Sequence, residues 1–173
     1  MPADGYQNYM GVSASADKWV ECVHYSSVSE PLEALKRNGY QLLAAHLTSD
    51  AKDYRKIDYT KPTAIIMGAE RKGVSDLAMS KVDQAIVIPM MGMVESFNVS
   101  VAAALILAEA QSQRANAGFY DAQHLPQDEY DRLFFQWAHP VLTEFCDERD
   151  ITYPAVDEEG EVINLSQWYT SVR

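Results

Sequence analysis

Thr63-Ala-Ile-Ile-Met-Gly-Ala-Glu-Arg-Lys-Gly-Val-Ser75 is the stretch on which the fold turns. Its first five residues form a strand-length apolar run, Gly68 and Gly73 bracket a turn, and residues 74–82 leave room for a short helix. The same grammar recurs at Gln84-Ala-Ile-Val-Ile88, which leads through Pro89-Met-Met-Gly-Met-Val-Glu-Ser-Phe-Asn98 into a second helix. Asn98 is placed to cap that helix, which runs through Ala102, Leu105 and Ala110 towards Arg114 and ends near Gly118. Upstream, Tyr40-Gln-Leu-Leu-Ala-Ala-His-Leu47 is a third apolar run. Continuously apolar strands suit the interior of a parallel sheet covered on both faces, whereas alternation would mark a half-solvated one. Ser29, Pro31 and Gly39 punctuate a short helix with Ser29 as its cap, and residues 19–24 read as a short strand. Beyond Gly118, helices are expected over 127–136 and 139–150, then an acidic segment over 153–173 anchored by Trp168 and Tyr169. The order predicts α/β layers with right-handed crossovers.

The chain has 173 residues, 47% apolar and 23% charged, which fits one folded domain and excludes collagen-like, coiled-coil and disordered classes. Cys22 and Cys146 stand far apart without metal-ligand spacing, so neither a disulfide framework nor a zinc site is expected, and a reducing cytoplasm fits. His24, His124 and His139 likewise lack partners at metal or triad spacing. No run of eighteen apolar residues and no basic, apolar leader is present, so neither a membrane span nor a signal peptide is expected. The net charge of −11 argues at first sight against nucleic acid. Its distribution softens that: residues 121–173 carry 3 basic and 12 acidic side chains, while residues 1–120 carry 11 and 13. A local basic face is therefore compatible with the first part.

Two stretches can carry chemistry, because ligands of open α/β sheets dock where the carboxyl ends of strands feed loops. One is the turn from Gly68 to Gly73, which on pattern alone also reads as a solvated connection; it matches no phosphate-loop motif. The other is residues 88–98, where three methionines offer an adaptable apolar wall and Ser96 and Asn98 offer neutral polar groups. Core filling by the methionines and simple capping by Asn98 explain that stretch equally well.

Together, in this order and about twenty residues apart, the two stretches resemble the second and third motifs of the SpoU (SPOUT-class) RNA ribose 2′-O-methyltransferases. Further similarity in Ala44-Ala-His-Leu-Thr48, Ile57-Asp-Tyr-Thr-Lys-Pro62, residues 109–120 and Tyr153-Pro points to the branch that modifies guanosine 18 in the D-loop of tRNA. The resemblance runs from about Gly11 onward. It implies a parallel-sheet fold with a deep C-terminal trefoil knot, an exception to the rule against knots. It further implies S-adenosylmethionine held by Ala45, His46, Leu47, Gly68, Ile88, Met90, Phe97 and Asn98, with S-adenosylhomocysteine as product. Glu70, Ser96 and Asn98 match positions tied to activity, and Arg114 matches a residue that meets tRNA. Phe97 replaces the usual Leu, and Ser112 stands where relatives often carry a second Arg. Homodimers through the knot helices are implied, with the face Val99, Ala103, Ile106 and Ala110 either making that contact or buried within one chain.

The family's first motif, an Asn followed by a catalytic Arg, has no counterpart here, and Met1-Pro2 aligns with the end of the following strand. An N-terminally truncated fold is expected, with residues 1–120 as the methyltransferase domain, a knot within about 63–120, and 121–173 as an extension packed on it. Arg71 and Lys72 correspond to variable turn residues and are read as solvated. The leading expectation is methyl transfer to tRNA. A catalytically silent module binding cofactor, RNA or a partner protein, and a methyltransferase of another tRNA or rRNA site, are the alternatives.

Overall fold

The structure, a computed structural model, describes residue 20 and residues 22–69, 72–93 and 96–172. Contacts within the chain group into two compact units, and the chain passes from the first to the second between Ala122 and Gln123.

The first unit is built on a four-stranded parallel sheet of β1 (Gln41–Ala45), β2 (Lys52–Asp53), β3 (Thr63–Met67) and β4 (Gln84–Val87), in the order β2-β4-β1-β3. Helices α1 (Ser29–Arg37), α2 (Asp76–Met79) and α3 (Val99–Asn116) complete it. β1 is interior to the sheet, with Leu42, Leu43 and Ala44 all buried. Successive side chains on a strand point to opposite faces, so β1 divides its apolar residues between two cores. Leu42 and Ala44 pack with Leu32 of α1, Val74 and Ala78, while Leu43 packs with Ile57, Tyr59, Ile86 and Ile106 of α3. β3 splits in the same way, Ala64 and Ile66 against the first group and Ile65 and Met67 against the second. The expected α/β layering is thus present in the first unit.

Asp83 fixes the start of this sheet. Its carboxylate accepts the Leu42 N–H at 2.7 Å and pairs with Lys36 at 3.2 Å, and its own N–H donates to the Leu42 carbonyl at 2.8 Å. On the other face, α3 is clasped to residues 57–59 near its C-terminal end. Gln113 accepts the Tyr59 N–H at 2.9 Å and donates to the Ile57 carbonyl at 3.0 Å, and Arg114 Nε donates to the Tyr59 carbonyl at 2.9 Å. The Tyr59 ring lies fully buried beneath this clasp.

Two expectations need correction. Residues 22–24 form no strand: they lie outside the sheet with Val23 exposed, and β-branched character without a neighbouring strand makes no ladder. Trp19 and Glu21 lie outside the described residues. Ser29 is the first residue of α1 rather than its cap, and its N–H donates to Ser27 Oγ at 3.2 Å. The two-residue β2 and the 3₁₀ turn Tyr54–Lys56 were not legible, because β2 is too short to show any period. Ile106 is fully buried and Ala110 packs on the core, so the α3 face carrying them belongs to the interior of the unit.

The second unit holds α4 (Gln127–Ala138), α5 (Pro140–Asp147) and α6 (Leu165–Ser171). Phe135 and Cys146 are buried in it; Phe135 stacks on Tyr153 at 4.7 Å, and the Tyr153 hydroxyl donates to Asp147 at 2.7 Å. Phe145 is packed by Tyr169 at 5.6 Å and Trp168 at 6.3 Å, with the Arg149 guanidinium 4.1 Å over its ring. These contacts give the two aromatics of the acidic segment the anchoring role read from the sequence, and add a helix, α6, that was not expected.

The buried Tyr59 hydroxyl has no hydrogen-bond partner among the described residues, and burial pushes its pKa up to about 12. Because an unsatisfied buried hydroxyl costs about 1–3 kcal/mol, Tyr59→Phe is expected to hold or raise stability. Tyr59→Ala, which empties the same space, should cost about 3–5 kcal/mol by urea denaturation. A Tyr59→Phe loss as large as that of the alanine variant would contradict this account.

Candidate functional site

The carboxyl ends of β1, β3 and β4 converge on a cavity of about 480 Å³. Its wall takes Ala45, His46 and Leu47 from the end of β1, Met67, Gly68, Ala69 and Gly73 from the end of β3, and Ile86, Val87 and Ile88 from β4. Met90, Ser96, Phe97 and Asn98 follow from the connection to α3, and Val99, Ala102 and Ile106 from α3 itself. A cavity of this size lies within the range of roughly 300–1,000 Å³ typical of small-molecule sites. Its location is the one expected for an open parallel sheet, where strands on either side of a central one feed loops that diverge.

The turn after β3 is shaped by close backbone approach. Ala69 N–H donates to the Gly73 carbonyl at 3.0 Å and Gly73 N–H returns to the Ala69 carbonyl at 2.7 Å, folding the turn back on itself. A Cβ on Gly68 would run into the backbone of Gly73 and Val74. Gly73 has φ +63°, and a Cβ there would stand 3.2 Å from the His46 ring. The two glycines are therefore required by geometry: one for space, the other for a left-handed backbone against an imidazole. The His46 N–H donates to the Ile86 carbonyl at 3.2 Å, which carries the β1–β4 pairing one residue past the strand.

Asn98 opens α3. Its Oδ1 accepts the Ser100 N–H at 2.9 Å, so it caps the helix while its residue also lines the cavity. The two readings of this position are both present. Among the described residues the cavity's polar side chains are His46, Ser96 and Asn98, the other lining residues are aliphatic, thioether, aromatic or glycine, and none is a carboxylate, lysine or arginine. Such a wall suits a ligand with a broad apolar face and a hydrogen-bonding edge, recognised partly by backbone N–H and C=O groups at strand ends.

Of the residues singled out from the sequence, the structure brings Ala45, His46, Leu47, Gly68, Ile88, Met90, Ser96, Phe97 and Asn98 around this one cavity. Glu70, with Arg71, lies outside the described residues. Arg114 is not at the cavity; it sits near the far end of α3, its Nε held by the Tyr59 carbonyl and its guanidinium 5.9 Å over the Phe119 ring. Ala69 and Gly73 fall within the turn marked from the sequence, whereas sequence reasoning did not place Met67, Ile86, Val87, Val99, Ala102 and Ile106 at the site. The helical three could have been found from their spacing of three and four residues after the cap, which puts them on one face of α3.

Comparison with known proteins agrees with this geometry. Residues 3–108 match the SpoU rRNA Methylase family and residues 112–165 match the SpoU, rRNA methylase, C-terminal family. The chain belongs to the SpoU methylase family. It is 40% identical over 99% of its length to the tRNA (guanosine(18)-2′-O)-methyltransferase of Escherichia coli K12, of which it spans 76%. It is 45% identical over 79% of its length to a protein of the same name from Thermus thermophilus, of which it spans 70%. Among solved structures, the A. aeolicus TrmH/SpoU tRNA modifying enzyme superposes with a TM-score of 0.73 at 33% identity, over 87% of this chain and 73% of that one.

Gly68→Ala should force the turn after β3 to shift, because the clash is with backbone rather than a flexible side chain, and should cost about 1–3 kcal/mol in thermal or urea unfolding. An alanine variant as stable as the parent would show that the turn is looser than described.

Proposed function

We propose that this chain is an S-adenosylmethionine-dependent RNA methyltransferase that modifies the ribose 2′-hydroxyl of guanosine 18 in tRNA. The observation that carries the reading is the cavity at the carboxyl ends of β1, β3 and β4, lined by the two stretches whose sequence resembles the family's motifs and which lie within the span 3–108 that matches the family. The relatives named tRNA (guanosine(18)-2′-O)-methyltransferase supply the substrate.

The residues present fit the cofactor. The backbone at Ala45, His46, Leu47, Gly68 and Ile88 offers hydrogen-bonding groups, and Met90 and Phe97 offer an apolar slot for a purine ring. Bound there, S-adenosylmethionine supplies an electrophilic methyl on its sulfonium, so the protein need not form a covalent bond to the methyl group itself. The chain's own task is to fix the ribose oxygen in line and keep water away, because orientation can provide a large share of the barrier reduction. Glu70, Ser96 and Asn98 are the residues proposed to shape that ribose site. A bare ribose hydroxyl is too weak an acid to ionise at neutral pH, so a group must accept or disperse its proton as it attacks.

The finer architecture belongs to this reading as well. We assign to the first unit the family's trefoil knot, and to residues 121–173 the role of a C-terminal helical, acidic extension of the methyltransferase domain. A second copy of the chain is the proposed occupant of the apolar surface that α3 leaves exposed at Val101 and Leu107. No helix among the described residues is long and apolar enough to cross a membrane, and the proposed compartment is the cytoplasm, where tRNA is found.

Calorimetric titration should show saturable binding of S-adenosylmethionine and S-adenosylhomocysteine, weakened at least tenfold by Asn98→Ala. Asn98→Ser retains a capping oxygen and separates lost contact from the roughly 0.5–2 kcal/mol that loss of the cap alone costs. Incubation with unmodified tRNA and methyl-labelled cofactor should place the label on the ribose of guanosine 18. Cofactor binding without transfer to any RNA would reject catalysis in favour of a binding module, and transfer to a different nucleotide would reject the stated target.

A further inference from the structure

The protein is strongly acidic, yet its proposed substrate is a polyanion, so the side on which an RNA strand is held must be a local departure from the overall charge. Residues 123–173 carry 3 basic and 11 acidic side chains, which leaves the first unit to supply it. Within that unit, the ten residues 52–61 hold 4 of the chain's 14 Lys and Arg residues: Lys52, Arg55, Lys56 and Lys61. All four are exposed, while Ile57 and Tyr59 between them are buried. The segment is therefore pinned to the fold by its apolar residues and turns its cations outward.

Elsewhere in the unit Arg37 and Lys72 are also exposed and outside any ion pair among the described residues, but no other ten-residue stretch there holds four cations. On the α1 side, Lys36 is paired with Asp83 at 3.2 Å and Lys81 with Glu33 at 2.6 Å. Within the segment, Arg55 is held by Asp53 through Nε at 3.0 Å and Nη2 at 2.6 Å, and Lys61 stands 3.7 Å from Asp58. Of the other carboxylates nearby, Glu109 accepts Gln113 Nε2 at 2.9 Å, and Asp50, two residues before Lys52, is in no ion pair among the described residues. Lys52 and Lys56 have no carboxylate within ion-pair distance among the described residues. They are the two ammonium groups there free to meet phosphate.

Their place in the fold ties them to the cavity. Asp53, next to Lys52, stands in register with Val87 of β4, and Val87 is a cavity residue. From there the segment runs under α3 to the clasp at Tyr59, where Arg114 is anchored. α3 itself spans about 27 Å from its cavity end to that clasp. A track thus leads from beside the cavity to the far end of α3.

We infer that the outward face of residues 52–61, with Lys52 and Lys56 as its principal contacts, is the surface along which the RNA backbone is held. This rests on the reading of the chain as an RNA methyltransferase and deepens it by naming the substrate-docking face. The contacts are to phosphate, so they position the RNA without reading its sequence.

The test compares the full chain with the Lys52→Gln/Lys56→Gln and Lys52→Arg/Lys56→Arg double variants, and with Lys81→Gln, which removes a paired lysine. Each is titrated with unmodified tRNA by fluorescence anisotropy at several salt concentrations, and with S-adenosylmethionine by calorimetry. The glutamine pair should weaken tRNA binding on the order of tenfold at 0.1 M salt and reduce the slope of log K against log salt by about 2. The arginine pair and Lys81→Gln should behave as the parent, and cofactor affinity and melting temperature should be unchanged throughout. Parent-like affinity and slope in the glutamine pair would overturn this surface while leaving the proposed activity intact. Loss of cofactor binding or of folding in that pair would overturn it too, by placing the lysines in the fold. If the parent chain binds cofactor but no tRNA at all, the functional reading fails and this inference fails with it.

Discussion

A strand with neighbours on both edges and helices over both faces has no solvent side, and β1 is held under that constraint. Its backbone is hydrogen-bonded to β3 and β4, and its side chains must satisfy two cores at once, Leu42 and Ala44 on one face and Leu43 on the other. Every element that positions the cavity refers back to it. β3 and β4 take their register from it, Asp83 sets where it begins, and α3 is seated on the face that Leu43 supplies. Shifting β1 by one residue would exchange the two cores, which the size difference between Ala44 and Leu43 forbids. The strand ends, and with them the loops that line the cavity, are fixed by packing below rather than by contacts among the loops.

The site is correspondingly plain in chemistry. Among the described residues its lining carries no carboxylate, lysine or arginine, and glycines and strand-end backbone make up much of the wall. Such a surface suits a cofactor that brings its own reactive carbon, since most of what remains is orientation and exclusion of water. Charge enters at the periphery, on the 52–61 segment, where it can act on a long polyanion without disturbing an apolar slot.

Legibility from sequence followed the length and uniformity of each signal. The runs at 41–45, 63–67 and 84–87 are uninterrupted enough to read as buried strands, and Asn98 ahead of an alanine-rich stretch marks α3 without ambiguity. β2 was invisible because two residues carry no period, and it is a strand only by virtue of β4 beside it. Ser29 was misassigned because two serines, Ser27 and Ser29, offer the same cap chemistry and only geometry separates them. For the site, the two loop stretches could be named from their place after strands, but the contribution of Ile86 and Ile106 could not, since core and cavity wall are one surface there. Nor does the sequence reveal that Arg114 is tied down: a carbonyl 55 residues away in the chain holds it.

The double duty of Asn98 has a consequence for polarity. An amide side chain has one oxygen and one NH₂. With the oxygen turned to the Ser100 N–H, the helix has already taken the acceptor, and what Asn98 can present elsewhere is the donor half. An aspartate would cap α3 equally well while turning that donor into a second acceptor bearing charge. A carboxylate would if anything favour the helix N-terminus, but it would replace a neutral donor at the cavity wall with a negative charge.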